Sequence, residues 1–164
     1  MNMKPIVPTI LGAILSFPAS AADVLNAKIM TLDLARDIAS QTLEACRNKG
    51  YNTAVVVVDR SGDPQVVLRD VYVSRHAVEI AERKASAVVM SGVSTRDFRT
   101  NRADIRAELN EVRGILLLQG GLPIRAGGSL IGAVGVSGAP GGEKDEACAA
   151  AGIKAVQERL DFAE

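Results

Sequence analysis

Tryptophan is absent from the 164 residues, phenylalanine occurs three times, tyrosine twice and histidine once, at His76. So few aromatics exclude a base-stacking surface for single-stranded nucleic acid. Lysine and arginine together number 19, against 19 acidic residues, so the basic excess that duplex binding needs is missing too. One histidine cannot build a multi-histidine zinc or iron cage within one chain. The motifs C-x-x-C, C-x-x-C-H, H-E-x-x-H and G-x-S-x-G do not occur, which removes thioether-linked haem, zincin chemistry and a nucleophile elbow. No apolar run reaches the ~20 residues that cross a bilayer. The N-terminal run, Ile6 to Phe17, is broken by Pro8, preceded by Lys4 and followed by Ala19-Ser20-Ala21, the pattern of an export signal with a small-residue cleavage site. The expectation is a signal peptide over 1–21, a single domain over 22–164, a periplasmic or secreted location, and no membrane span after cleavage.

Glycine, by contrast, is concentrated. Nine of the fifteen lie between Gly120 and Gly142, in GGLPIRAGGSLIGAVGVSGAPGG. The middle of that run predicts a hairpin, strand 122–126, a Gly127-Gly128 turn and strand 130–137, because adjacent glycines can both take positive φ. Upstream, apolar periodicity predicts a helix over 31–48 and another over 74–90, and Val55-Val56-Val57-Val58 predicts a strand covered on both faces. Ser61-Gly62-Asp63-Pro64 turns that strand, 53–59, into a second at 65–69. A charge-dense segment follows over 94–113, with a short helix at 103–111, then a strand at 115–119. Acidic Glu143, Asp145 and Glu146 open the last helix. The order α-β-β-α-β-β-β-α predicts an α+β fold in two or three layers, with a mainly antiparallel five-stranded sheet flanked by helices.

His76 falls in the first turn of the second helix, at the edge of the apolar stripe Ala77, Ile80, Ala81, Ala85, Val88. An imidazole lone pair beside an apolar wall suits a haem iron or a metal, although a lone histidine is more often structural. Lys84 sits inside that stripe. Either its stem snorkels to water, or it is a partly desolvated ammonium at a pocket floor, free to hold a carboxylate or to move a proton. Arg96, Arg99, Arg102, Arg106 and Arg113 alternate with acids, which reads either as a solvated, ion-paired face or as a connection whose guanidinium groups clamp carboxylates such as haem propionates or a small organic acid. The acids after Gly142 would repel a phosphate, so Gly135 and Gly138 are read as places where a flat ligand or a neighbouring subunit approaches the backbone. Cys46 and Cys148 lie on the apolar stripes of the first and last helices, either as buried thiols or as a bridge between them.

The run from Gly121 to Ile153, and Ser74 to Ala87 with its Arg83-Lys84-Ala85, closely resemble the GlcG/HbpS family of small haem-binding proteins, also called DUF336. The resemblance spans about 30–160. It implies a profilin-like antiparallel sheet, assembly into homo-oligomers, and non-covalent binding of haem or a related tetrapyrrole, with slow haem degradation. On that reading His76 is the axial ligand of the haem iron, and Arg75, Lys84, Arg69, Gly135 and Gly138 line the site. Tyr51, Tyr72, Met90 or water would supply a second axial ligand. Two alternatives stay open: an enzyme on a small carboxylate or carbonyl compound, with Lys84 and His76 as acid and base and Arg69 or Arg75 as anchor, or an oligomeric accessory protein.

Overall fold

The computed structural model describes residues 27–163; the expected export signal lies outside them. Helix α1 (Leu32–Arg47) starts where the Thr31 hydroxyl accepts the Leu34 amide, and it buries Ala35, Ile38, Ala39, Thr42, Leu43 and Cys46 along one stripe. Strand β1 (Ala54–Asp59) turns into β2 (Pro64–Arg69), and α2 (Arg75–Ser91) follows. Ser74 caps α2, and Gly92 ends it in the left-handed region with its amide on the Val88 carbonyl. Two short helices, α3 (Thr95–Asn101) and α4 (Arg106–Glu111), flank a 3-10 turn at Ala103–Ile105. The hairpin β3 (Gly121–Ala126) and β4 (Ser129–Ser137) closes through Gly127 and Gly128, whose φ angles are 52° and 82°. Helix α5 (Gly142–Ala155) and the short α6 (Gln157–Asp161) complete the chain.

The sheet has the order β2-β1-β4-β3, and all three pairings are antiparallel. β1 is an inner strand, and its valine run is buried throughout. Val55 and Val57 join α1, α5 and Leu160 in the larger core, while Val56 and Val58 meet Ala81, Ala85 and Val88 of α2 on the other face. Alternation of a β-branched run therefore fills two helical layers at once.

Among the described residues four strands form, not five. The segment 115–119 does alternate, with Ile115 and Leu117 buried beside Ala87, Phe98 and Leu109. Its hydrogen bonds, however, go to a helix and a side chain: the Leu116 amide donates to the Arg83 carbonyl at 3.3 Å and the Leu117 amide to Asn110 Oδ1 at 2.9 Å. Period two records burial on one side and carries no guarantee of a ladder partner. The 94–113 segment is more helical than expected; Arg96 pairs with Asp97 and with the largely buried Glu146, and Arg102 pairs with Asp104.

Two close contacts hold the layers. Cys46 and Cys148 form a disulfide between α1 and α5, with Cα atoms 5.3 Å apart. On the opposite face, a Cβ placed on Gly135 would overlap the Ala81 carbonyl oxygen, so the group that approaches this glycine is the backbone of α2. Gly135→Ala is expected to push α2 off the sheet and to lower stability by about 1–3 kcal/mol, or more, in a denaturant titration. An unchanged midpoint would contradict this packing.

Candidate functional site

A cleft of about 500 Å³ opens where the α1–β1 loop, the β2–α2 loop and the β4–α5 turn converge. Its lining includes Tyr51, Asn52, Tyr72, Ser74, Gly138 and Pro140, a mixed surface within the ~300–1,000 Å³ range of small-molecule sites. Tyr72 is 87 % exposed, a large aromatic that the fold leaves in solvent. The Lys144 ammonium lies 5.8 Å from the centroid of the Tyr51 ring.

The loop carrying Tyr72 is braced from behind. Arg47 donates twice to Asp70 Oδ1, at 2.8 and 2.6 Å, and Asp70 Oδ2 accepts the Thr53 amide at 3.2 Å. The Arg69 guanidinium donates to the Val73 carbonyl across the same turn. Arg69 thus spends a donor on shaping the loop.

Arg75 and His76 follow Ser74 directly and face outward, into a shallow depression shared with Val78, Glu79 and Glu82. The His76 amide is capped by the Ser74 hydroxyl, and the imidazole has no hydrogen-bond partner among the described residues. At this corner, around the start of α2, Tyr51, Tyr72 and Gly138 line the cleft and Arg69 braces its loop, while Arg75 and His76 open into the separate depression that begins one residue after Ser74. Gly138 approaches the backbone of Asn52, whose carbonyl oxygen would lie 2.6 Å from an added Cβ.

Lys84, Gly135 and Met90 lie elsewhere. Gly135 is in the core beneath α2, and Met90 is exposed at the far end of that helix, in a separate depression of about 350 Å³ with Arg113 and Val112. Lys84 is neither at a pocket floor nor snorkelling. Its side chain is 1 % exposed, and its ammonium donates to Asp145 Oδ2 at 2.8 Å and to the Val136 carbonyl at 2.7 Å. Burial pushes the Lys84 pKa down while the Asp145 charge pulls it back, and burial pushes the Asp145 carboxyl up against the opposing pull of Lys84. By sequence alone Asp145 belongs with the acids of its helix's first turn, and the structure buries it. A lone apolar-stripe lysine is the signal that an acid has to be buried opposite it.

The description "Haem degrading protein HbpS-like" fits residues 30–154, which is most of the chain. The chain belongs to the HbpS-like family. Its fold is correspondingly close to that of HbpS, whose crystal structure is 33 % identical with a TM-score of 0.77 over 85 % of this chain and 99 % of that one. A double mutant of Streptomyces reticuli HbpS is 31 % identical, with a TM-score of 0.75 over 88 % and 99 % of the two chains. A PduOC:Heme complex, 22 % identical with a TM-score of 0.69 over 78 % and 95 %, shares the fold. No curated protein matches. Among the described residues of this HbpS-like chain, no helix is long and apolar enough to cross a membrane.

The corner's donor chemistry suits the group in the family's description. A haem needs an axial nitrogen, sulfur or phenolate, a flat apolar or aromatic face, and cations for its propionates. His76, the two tyrosines and Arg75 are of those kinds, and their side chains are not absorbed by internal hydrogen bonds or ion pairs among the described residues.

Proposed function

We propose that this HbpS-like chain binds haem non-covalently at the corner built by Tyr51, Tyr72, Arg75, His76 and the Gly138–Pro140 turn. The observation that carries the reading is an exposed, unpartnered imidazole and a guanidinium that follow Ser74 at the start of α2, where Ser74 itself lines a cleft of about 500 Å³ together with Tyr51 and Tyr72. His76 offers its ring nitrogen to the iron, Arg75 a bidentate contact to a propionate, and Tyr72 a face for the porphyrin. Bound haem would supply redox and dioxygen chemistry, and slow degradation of the bound haem is the activity to be assayed. One chain provides one wall, so the second wall comes from another copy in a homo-oligomer. Export through the 1–21 segment accords with the Cys46–Cys148 bridge, since structural disulfides persist in oxidising compartments.

The acid–base enzyme reading has less support, because its two groups are separated by the fold. Lys84 is closed inside an ion pair, while His76 is in solvent on the outer side of the same helix.

Visible-absorption titration with haemin tests the proposal. The wild-type chain should give a saturable, shifted Soret band, and Tyr72→Ala should weaken binding about two- to tenfold, the size of one aromatic contact. Absence of any spectral change in the wild type at stoichiometric haemin would remove the proposal.

A further inference from the structure

The Lys84–Asp145 pair is buried away from the cleft yet is tied to its wall. One carboxylate oxygen, Oδ2, takes the lysine; the other, Oδ1, accepts the Ala139 amide at 3.0 Å. Ala139 stands between Gly138 and Pro140, the two turn residues that line the cleft. No side chain caps the start of α5, and the turn's own backbone bonds run from Gly141 to Ala139 and from Lys144 and Asp145 to Gly141. They close the turn on itself and on α5, whereas Asp145 Oδ1 fixes the amide beside the cleft-lining residues.

The carboxylate in turn has little freedom to rotate. Lys84 holds it from α2 while also holding the Val136 carbonyl in β4, so one ammonium spans both helical layers and the strand between them. The remaining side is closed by Gly120, where an added Cβ would sit 2.7 Å from Asp145 Cβ and 2.8 Å from Lys84 Nζ. Gly121 is equally tight, since a Cβ there would lie 2.7 Å from the Lys84 carbonyl oxygen.

We propose that Lys84 and Asp145 are positioning residues for the ligand cleft: the pair fixes the Gly138–Pro140 wall and thereby sets ligand affinity without touching the ligand. The affinity half of this rests on the haem reading given above; the positional half rests on the hydrogen bonds alone.

The test compares the full chain with Lys84→Met and with the charge-free, volume-matched double variant Lys84→Met/Asp145→Leu, using Ile38→Val as a variant of lowered stability remote from the cleft. Amide exchange and ¹⁵N–¹H spectra should show Ala139 losing at least tenfold protection, with shift changes extending through 138–142, while β1 amides stay protected. Haemin dissociation constants should rise about tenfold in the pair variants and stay unchanged in Ile38→Val. If Lys84→Met does not fold, the double variant carries both measurements. Wild-type protection and shifts at 138–142 in the double variant would overturn the positioning role. So would a displaced turn with unchanged haemin affinity. If the wild type binds no haemin, the haem reading fails, and the amide data alone decide whether the pair positions the turn.

Discussion

Removing the disulfide by Cys46→Ala together with Cys148→Ala should lower the unfolding free energy by about 4–5 kcal/mol. The bridge joins residues 102 apart in sequence, so in the chain-entropy account it closes most of the unfolded chain into one loop, and a loop of ~100 residues corresponds to about 4.7 kcal/mol. Both cysteines are fully buried, and alanine leaves only a small void without adding an unpaired polar atom. A domain of this size is stable by roughly 5–15 kcal/mol, so the loss would be a large share of the whole. The midpoint of a denaturant titration reads it directly. An unchanged midpoint, or two thiols titrating in the unfolded, unreduced protein, would show that the bridge does not form.

The second large effect belongs to the buried ion pair. Lys84→Met should cost about 3–5 kcal/mol, because it leaves a carboxylate buried without its cation, whereas Lys84→Met/Asp145→Leu should recover part of that loss and keep a residual defect, since the Ala139 amide and the Val136 carbonyl then lack their side-chain partners. The defect of the single variant should also depend on pH. Burial already raises the Asp145 carboxyl above its ordinary value of 3.8, and loss of the Lys84 charge raises it further. A group whose folded pKa is raised holds its proton more tightly in the folded chain. The resulting stabilisation is complete below the unfolded value and is lost as the pH rises through the folded one. The Lys84→Met defect should therefore shrink on acidification from pH 7 towards pH 4. A defect that grows on acidification, or a double variant as unstable as the single, would contradict the assignment.

Much of this architecture could be read from residue order. Thr31 and Ser74 mark helix starts, Gly127-Gly128 marks the hairpin, and the valine run of β1 implies two covered faces; each is a local signal with a local cause. What escaped was set by contacts distant in sequence. Nothing within 115–119 says that its amides bond to Arg83 and Asn110 instead of a strand. Gly135 announced a close approach, but whether by a ligand or by Ala81 depends on where α2 crosses the sheet. Lys84 announced a buried charge, and its partner lies 61 residues away. Of the residues read from the sequence as site candidates, Gly138 lines the cleft and Arg75 and His76 lie in the depression at the start of α2. The shape of the cleft was not legible, because Tyr51 and Tyr72 reach it from loops whose position is set by Arg47, Asp70 and Arg69.

The central claim is that haem is held at this corner through the chain's single histidine. Its most direct test is the Soret spectrum of the haemin complex of His76→Ala beside that of the wild type. Removing the exposed imidazole should leave the fold unchanged and abolish the band of the ligated iron or displace it. A His76→Ala complex with the wild-type spectrum and affinity would contradict the account.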